Sequence, residues 1–495
     1  MTRLLRSVPF VPPFRKMAEL LSQPLPHQER VKERLQTQPG LVAVHGLGSG
    51  KTLTAINAQD ALQTPATVVV PAALKENFRK EQRKHLRGEP PPTQLETVQA
   101  AASRRTASPN PLLVVDEAHK LRDPSSASFR AIRDTARDKT LLLTASPFYN
   151  HPHDLAPLIN LAAQEDVLPT DRKKFEDKYI VYRSQRPSLS QWLQGVRSTG
   201  DTPHLNPASA EELRGVYKKW TDYHPSSTED FPRVHREDVD VLMTPEQRDI
   251  YNTTLAKAPP WVAAKVRSGM PPSKQEMSNM AAFLSGPRQV GVSTAAFSNG
   301  EAQSPKVDAA FNRMKALLDG NPRAKGIVYS NYLESGLSPY RDKLQAAGIP
   351  YGEFTGELNA KQRDQMVRDY NEGKLRTLLL SSAGGEGLDL KGTRLVQLLE
   401  PHWNQEKLKQ VEGRAARFRS HAHLPENERD VRVEQYLAHL EPKERTGLAA
   451  LLLGKKKSKR AIGADEYLRD MSQSKEKLID EFRALLPSEP PPDVR

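Results

Sequence analysis

Short apolar runs of strand length recur along the chain, in alternation with stretches of helical pattern. In the N-terminal part the runs are Leu41–Val44, Thr67–Val70, Leu112–Val115 and Leu141–Leu143. In the C-terminal part they are Gly326–Tyr329, Thr377–Ser381, Leu395–Leu399 and Val431–Tyr436. Helical patterns cover Gln28–Gln36, the Ala-rich Leu53–Leu62 and the segment after Pro71, where Leu74 and Phe78 alternate with Lys75, Arg79 and Lys80. That basic helix suits either a nucleic-acid backbone or solvent. Strand and helix in alternation predict an α/β fold with parallel sheets, formed twice.

Between Leu161 and Gln303 the rhythm fades. The stretch is polar and Pro-rich and carries Tyr179, Tyr182, Trp192, Tyr217, Trp220 and Tyr223. It reads as mostly helices with long loops, inserted between the two α/β lobes, and its aromatics are expected to form a small core rather than to stack on bases. Gln289–Glu301, rich in Ser, Gly and Ala, reads as a mobile connection. Near the C-terminus a run of bases, Lys455–Arg460, precedes a helical pattern over Asp465–Leu485 that puts Leu468, Met471, Leu478 and Phe482 on one face; Pro487–Arg495 reads as a tail. At the other end Pro9, Pro12 and Pro13 break any amphipathic helix among Arg3, Arg6, Arg15 and Lys16. The expected division is a flexible leader over 1–24, a first lobe over 25–160, a helical insert and connection over 161–303, a second lobe over 304–440, and a basic, helical extension over 441–495.

Composition narrows the function. The chain has 495 residues, formal net charge +13 and a pI of about 9.6. The basic excess favours a polyanionic partner, nucleic acid first. The absence of Cys excludes disulfides, thiolate zinc sites and cysteine nucleophiles. No apolar run reaches the length of a membrane span, so a soluble, intracellular protein without a membrane partner is expected. Nothing identifies a protein partner.

The chemistry concentrates where strands end. Leu41–Val44 runs into His45-Gly46-Leu47-Gly48-Ser49-Gly50-Lys51-Thr52 and then a helix. Strand, glycine loop and helix make a phosphate-binding loop: its N–H groups surround an anion, Lys51 reaches the β- and γ-phosphates, and the Thr52 hydroxyl meets Mg²⁺. His45 stands where the strict pattern has Gly. Leu112–Val115 ends in Asp116-Glu117-Ala118-His119 (DEAH). Acids at the carboxyl end of a parallel strand sit where ligands bind; Asp116 would hold Mg²⁺ and Glu117 would orient or deprotonate the attacking water. Leu141–Leu143 leads to Thr144-Ala145-Ser146, small residues placed to relay the state of the γ-phosphate. Gln28 has an amide that can pair with an adenine edge, or it is an exposed helix-start residue. Arg414 and Arg417, three apart, share a face if the segment is a helix, in a lobe without a glycine loop of its own.

In this order the motifs resemble the superfamily 2 helicase-like ATPases, and in detail the Swi/Snf-type DNA translocases and their viral and phage relatives. The resemblance spans roughly Leu25 to Leu485. It rests on LPHQ, HGLGSGKT, VVVPAALKENFRKE, VVDEAHKLRD and TASPFYNHPHDL in the first lobe, LMTPEQRDIY in the connection, and GIVYSNY, EFTGELNAKQRDQMVRDYNEG, LLLSSAGGEGLDL, LEPHWN and QVEGRAARFR in the second. It implies two tandem RecA-like lobes with ATP and Mg²⁺ held between them. Gln28 would contact adenine. Gly46, Gly48, Ser49, Gly50, Lys51 and Thr52 would bind phosphate, with Thr52 and Asp116 on the metal. His119, Thr144, Ala145 and Ser146 would couple hydrolysis to nucleic acid, while Gly387 and Asp389 would sit at the cleft. Gln410, Arg414 and Arg417 would face the nucleotide, Arg417 as arginine finger. Asp389 stands where the Swi/Snf-type proteins usually carry Asn. The implied activity is ATP-driven movement along nucleic acid, DNA ahead of RNA. The alternatives are a viral transcription-type nucleoside triphosphatase and, from another class, a scaffold with a vestigial ATPase.

Overall fold

The apolar runs become strands of two six-stranded sheets in which every pairing is parallel. The computed structural model describes residues 18–487 except Leu47, Glu89, residues 227–230 and 299–300, Thr355, Glu357, residues 383–387, Asn404, Phe418 and residues 442–461. The chain divides into two units. One is the chain up to Lys178 together with Pro207–Ser226 and the stretch from Ala484; the other is Tyr179–Asn206 and Ser227–Arg483.

The first unit's sheet has the order Thr221–His224, Gly40–His45, Lys139–Thr144, Leu112–Val115, Ala66–Val69, Thr93–Glu96. A parallel sheet covered on both faces needs strands that are apolar throughout rather than alternating. Leu112–Val115 is accordingly buried at all four positions, as are Leu41 to Val44. Helices Pro26–Thr37 and Lys51–Leu62 add Val31, Leu35, Ile56 and Ala58 to this core. The register aligns Val44 with Thr144 and Val115 with Leu142. The carboxyl ends of three neighbouring strands therefore open on one edge. Residues 18–20, in the stretch read as a leader, form a strand antiparallel to Leu86–Gly88; the rest of 1–17 lies outside the described residues.

The second unit's sheet runs Arg233–Leu242, Asp430–His439, Thr393–Leu398, Lys325–Tyr329, Thr377–Leu380, Tyr351–Phe354. Ile327, Tyr329, Leu378, Leu380, Val396 and Val433 fill one cluster, and Val328, Leu379, Leu395 and Tyr436 another with helix Pro305–Gly320. Helix Ala464–Arg483 belongs to this unit. It buries Leu468, Leu478 and Phe482, and its Asp465 accepts a 2.5 Å bond from the buried Lys306 ammonium. The basic run Lys455–Arg460 and the end of the tail lie outside the described residues.

Helices are the commonest regular elements of residues 161–303, but among the described residues this stretch also supplies four strands: Thr221–His224 and Arg233–Leu242 in the two sheets, and Ile180–Gln185 paired antiparallel with Gly200–Leu205. Tyr179, Tyr217 and Trp220 are core residues, as expected, whereas Trp192 is exposed. The stretch read as a mobile connection begins inside helix Ser285–Val292, where Val290 and Val292 are buried. The apolar pair holds that segment to the core despite its Ser and Gly content.

Candidate active site at the carboxyl edge of the first sheet

The phosphate loop follows strand Gly40–His45. Gly48 and Gly50 both have left-handed backbone, at φ 78° and 74°. Gly50 is also the N-cap of helix Lys51–Leu62, so the loop passes straight into the helix start, where N–H groups and the helix dipole favour an anion. A side chain at Gly46 would meet the backbone of Ser226 at 2.3 Å, so only Gly lets the loop lie this close to that segment. The Ser49 hydroxyl donates to Gly46 O at 2.8 Å. The Lys51 ammonium lies 3.4 Å from the carbonyls of His45 and Gly46. Thr52, half-buried, lines a cleft of about 320 Å³ with Leu25, Gln28, Gly50, Glu81 and Lys84.

Gln28 is buried rather than exposed. Its amide N–H₂ donates to Ser49 O and Gly50 O, both at 3.2 Å, and its Oε1 accepts from Leu25 N–H at 2.8 Å. It thus links the start of helix Pro26–Thr37 to the phosphate loop. His27 Nε2 donates to Ser49 O at 2.8 Å as well.

Two strands along the sheet from the loop strand, Asp116 follows Leu112–Val115, and its Oδ1 accepts from Glu117 N–H at 2.9 Å. Burial and the neighbouring Glu117 push the Asp116 carboxyl up to about 6, with Lys51 pulling the other way. Glu117 takes left-handed backbone at φ 52°, uncommon for a non-Gly residue. The turn brings its carboxylate to 3.3 Å from His119 Nδ1, which is also 3.3 Å from the Thr144 hydroxyl. Thr144 Oγ1 accepts from Ser146 N–H at 3.1 Å. The His119 ring stacks on Tyr149, over which Arg122 also lies. Glu117, His119, Thr144 and Ser146 therefore form one polar chain between two strand ends, with Ala145 in its turn.

The sequence reading missed what lies beneath the loop. His45, at 0% exposure, donates from Nε2 to Asp222 Oδ1 at 2.9 Å. Arg30 donates to both oxygens of Asp222, at 3.1 and 3.3 Å. Gly46 N–H donates to His224 O at 2.9 Å, and the His27 and His224 rings stack at 3.7 Å. Burial lowers the His45 pKa, against the pull of Asp222. Burial alone would raise the Asp222 carboxyl, but bonds from His45 and Arg30 outweigh it and hold it below its ordinary range. Asp222 lies 177 residues from His45, so no local pattern could have announced the pair. Asp222→Asn should cost about 1–3 kcal/mol at pH 7, toward the low end because Arg30 keeps water as a partner. A carboxyl held low in the folded state stabilises above its unfolded pKa and loses that effect as pH falls through the folded one. The gap in melting temperature between wild type and Asp222→Asn should therefore be full at pH 7 and close below about pH 4.

The second unit places Gln410 and Arg414 on helix Gln405–Ala415, Gln410 half-buried and Arg414 buried. Arg417 does not share their helix face, because the helix ends at Ala415. The Ser420 hydroxyl accepts from Arg417 N–H at 3.1 Å and donates to Ala415 O at 3.3 Å, closing a turn; Arg417 Nε donates to Gly413 O at 3.2 Å. Asp389 is exposed, and its carbonyl accepts from Asn371 at 3.1 Å. Gly387 lies outside the described residues.

Residues 93–291 match the SNF2-related domain and residues 309–419 the helicase conserved C-terminal domain. The "putative ATP-dependent RNA helicase L538" of Acanthamoeba polyphaga mimivirus is 28% identical over 479 residues, covering 93% of this chain and 96% of the relative. A second mimivirus protein, "putative ATP-dependent RNA helicase R563", is 22% identical over 81% of this chain and 79% of its own. The "termination factor NPH-I homolog" of African swine fever virus is 25% identical over 66% of this chain, which spans 56% of that relative. Two parallel six-stranded sheets, a phosphate loop and acids at one carboxyl edge, and both domains in order make the chain similar to the superfamily 2 helicase-like ATPases of SNF2-related type and support an ATP-hydrolysing nucleic-acid translocase.

Proposed function

We propose that ATP binds with Mg²⁺ on the phosphate loop of the first unit and that its hydrolysis drives movement along duplex DNA in preference to RNA. The observation that carries the reading is the polar chain from Glu117 through His119 to Thr144 and Ser146, on the same sheet edge as Lys51. In this reading Gly46, Gly48, Ser49, Gly50 and Lys51 hold the phosphates, and Gln28 fixes the loop from the adenine side. Glu117 orients the water. His119, Thr144, Ala145 and Ser146 carry its state onward, while Gln410, Arg414, Arg417, Gly387 and Asp389 serve the reaction from the second unit.

Mg²⁺ suits the donors. The Thr52 hydroxyl and Asp116 carboxylate are hard oxygen ligands, and a carboxyl raised by burial and a neighbouring acid is stabilised by a cation. When bound it neutralises charge on the phosphates.

Duplex DNA is favoured here by the resemblance of the motifs to the Swi/Snf-type DNA translocases, while two of the relatives are named RNA helicases. The second reading, a transcription-linked nucleoside triphosphatase, is favoured by the relative named as a termination factor. No helix among the described residues is long and apolar enough to cross a membrane. The test is ATP hydrolysis with duplex DNA, single-stranded DNA and RNA offered separately. Duplex DNA should stimulate most, Lys51→Ala should abolish both basal and stimulated rates, and DNA affinity should fall steeply with salt through counterion release. Stimulation by RNA alone would transfer the substrate to RNA. Wild-type rates in Lys51→Ala would remove the phosphate loop from the reaction.

A further inference from the structure

The hairpin Ile180–Gln185 with Gly200–Leu205 belongs to the second unit and has a tip of unusual composition. From Ile180 to Gly200 there is no acidic residue, and Arg183, Arg186 and Arg197 are all exposed. The acid that follows, Asp201, is buried, and its carboxylate accepts from Lys274 N–H at 2.8 Å. Among the described residues none of the three arginines forms an ion pair with an acid.

The tip carries a short helix, Leu189–Leu193, started by Ser188, whose hydroxyl accepts from Gln191 N–H at 3.3 Å. On it Leu189 is 75% exposed, Trp192 50% and Leu193 71%. The Arg197 guanidinium lies 4.5 Å from the centroid of the Trp192 ring. The sequence suggested that the aromatics of this region serve a core, and Trp192 does not.

The base of the hairpin is firmly held. Glu481 accepts from Leu205 N–H at 2.6 Å and from His204 Nδ1 at 2.9 Å. The buried Lys265 ammonium donates to Thr199 O at 2.6 Å and to Glu276, which also takes the Ser198 hydroxyl at 2.7 Å. Val196 packs with Ala264 and Met270. The exposed apolar group is thus presented on a fixed support, and its exposure is not the fraying of a loose loop.

Apolar side chains clustered in the open mark a site of interaction. Arginines without acids around them select a polyanion, and an indole beside guanidinium groups is the pairing that stacks nucleobases while phosphates are neutralised. We propose that this hairpin is a nucleic-acid contact, with Arg183 and Arg186 on backbone phosphates and Trp192, flanked by Leu189 and Leu193, against unpaired bases. The proposal rests on the nucleic-acid reading above and names a surface apart from the ATP chemistry. Added to movement along duplex, it assigns tighter binding to a duplex that ends in a fork, where bases are accessible, than to an uninterrupted one.

The experiment uses the full chain and fluorescently labelled DNA as duplex, single strand and fork, titrated at several salt concentrations. The double variant Arg183→Ala, Arg186→Ala should bind all three about tenfold more weakly and reduce the slope of log affinity against log salt by about 1–2. Trp192→Ala should lose about tenfold on fork and single strand only, with the slope unchanged, and Trp192→Phe should restore most of it. ATP affinity and unstimulated hydrolysis should match wild type in every variant, which also shows that they fold. Wild-type DNA binding in both the double variant and Trp192→Ala would overturn the proposal and leave the tip as a protein-docking surface, with the ATP-driven translocase standing. Absence of DNA binding in the wild-type protein would instead remove the nucleic-acid reading itself.

Discussion

Glu117→Gln should yield a protein that holds ATP in one-to-one stoichiometry and releases phosphate about 10²–10⁴ times more slowly than wild type. The substitution keeps the size of the side chain and the N–H that donates to Asp116 Oδ1, so the loop geometry survives. What it removes is a base: an amide cannot take the proton of the attacking water. It also removes a negative charge beside Asp116, one of the causes that raise that carboxyl to about 6. Asp116 should ionise more readily in the variant, and affinity for ATP with Mg²⁺ should be equal to wild type or tighter. The chain Glu117–His119–Thr144 adds a second readout. Nucleic acid should still bind, because its contacts lie elsewhere, but should not raise the residual rate. Equilibrium binding and phosphate release measured on the same preparation decide the matter. A parallel fall in binding and turnover would make Glu117 a structural residue of the turn, where its left-handed backbone already sets it apart.

The parts of this molecule that were legible in its sequence share a physical cause. Leu112–Val115 is a strand with the bounds its apolar run suggested, because a parallel strand covered on both faces can carry little else. The phosphate loop was legible because anion binding by backbone needs Gly at fixed spacing before a helix. The failures occur where those constraints relax. Arg233–Leu242 lies at the edge of the second sheet with most side chains exposed, so its charged sequence hides a ten-residue strand. Thr221–His224 is an edge strand too, and nothing near it in sequence reveals that Asp222 will face His45. Gln28 could be read as an adenine contact or an exposed polar residue. Its burial against Ser49 and Gly50 follows from the packing of helix Pro26–Thr37 on the loop, a tertiary fact. Arg417 was placed on a helix because the pattern of Gln410 to Arg417 continues one. The Ser420 hydroxyl, which takes up Ala415 O and Arg417 N–H, ends the helix first.

That turn sharpens the prediction for the two arginines. Arg414 is buried within helix Gln405–Ala415, whereas Arg417 stands past its end, half-buried, with Nε spent on Gly413 O. Arg417→Ala should leave the melting temperature and ATP affinity close to wild type, since Lys51, Thr52 and Asp116 in the first unit are untouched. Its DNA-stimulated turnover should fall by about 10³ or more, the cost of losing a guanidinium that stabilises charge as the γ-phosphoryl group transfers. Arg414→Ala should behave differently. Removing a buried cationic side chain leaves both a cavity and unpaired groups, so this variant should melt several degrees lower besides losing turnover. Arg417→Lys separates charge from shape: a point charge in place of the planar fork should recover only a small part of the rate. The measurements are stimulated and basal ATPase rates, nucleotide affinity and thermal melts on the three variants. Near-normal stimulated turnover in Arg417→Ala would exclude this side chain from the reaction. If Arg414→Ala then lost turnover at unchanged stability, Arg414 would be the residue that meets the phosphate, and the turn closed by Ser420 would serve only to end the helix.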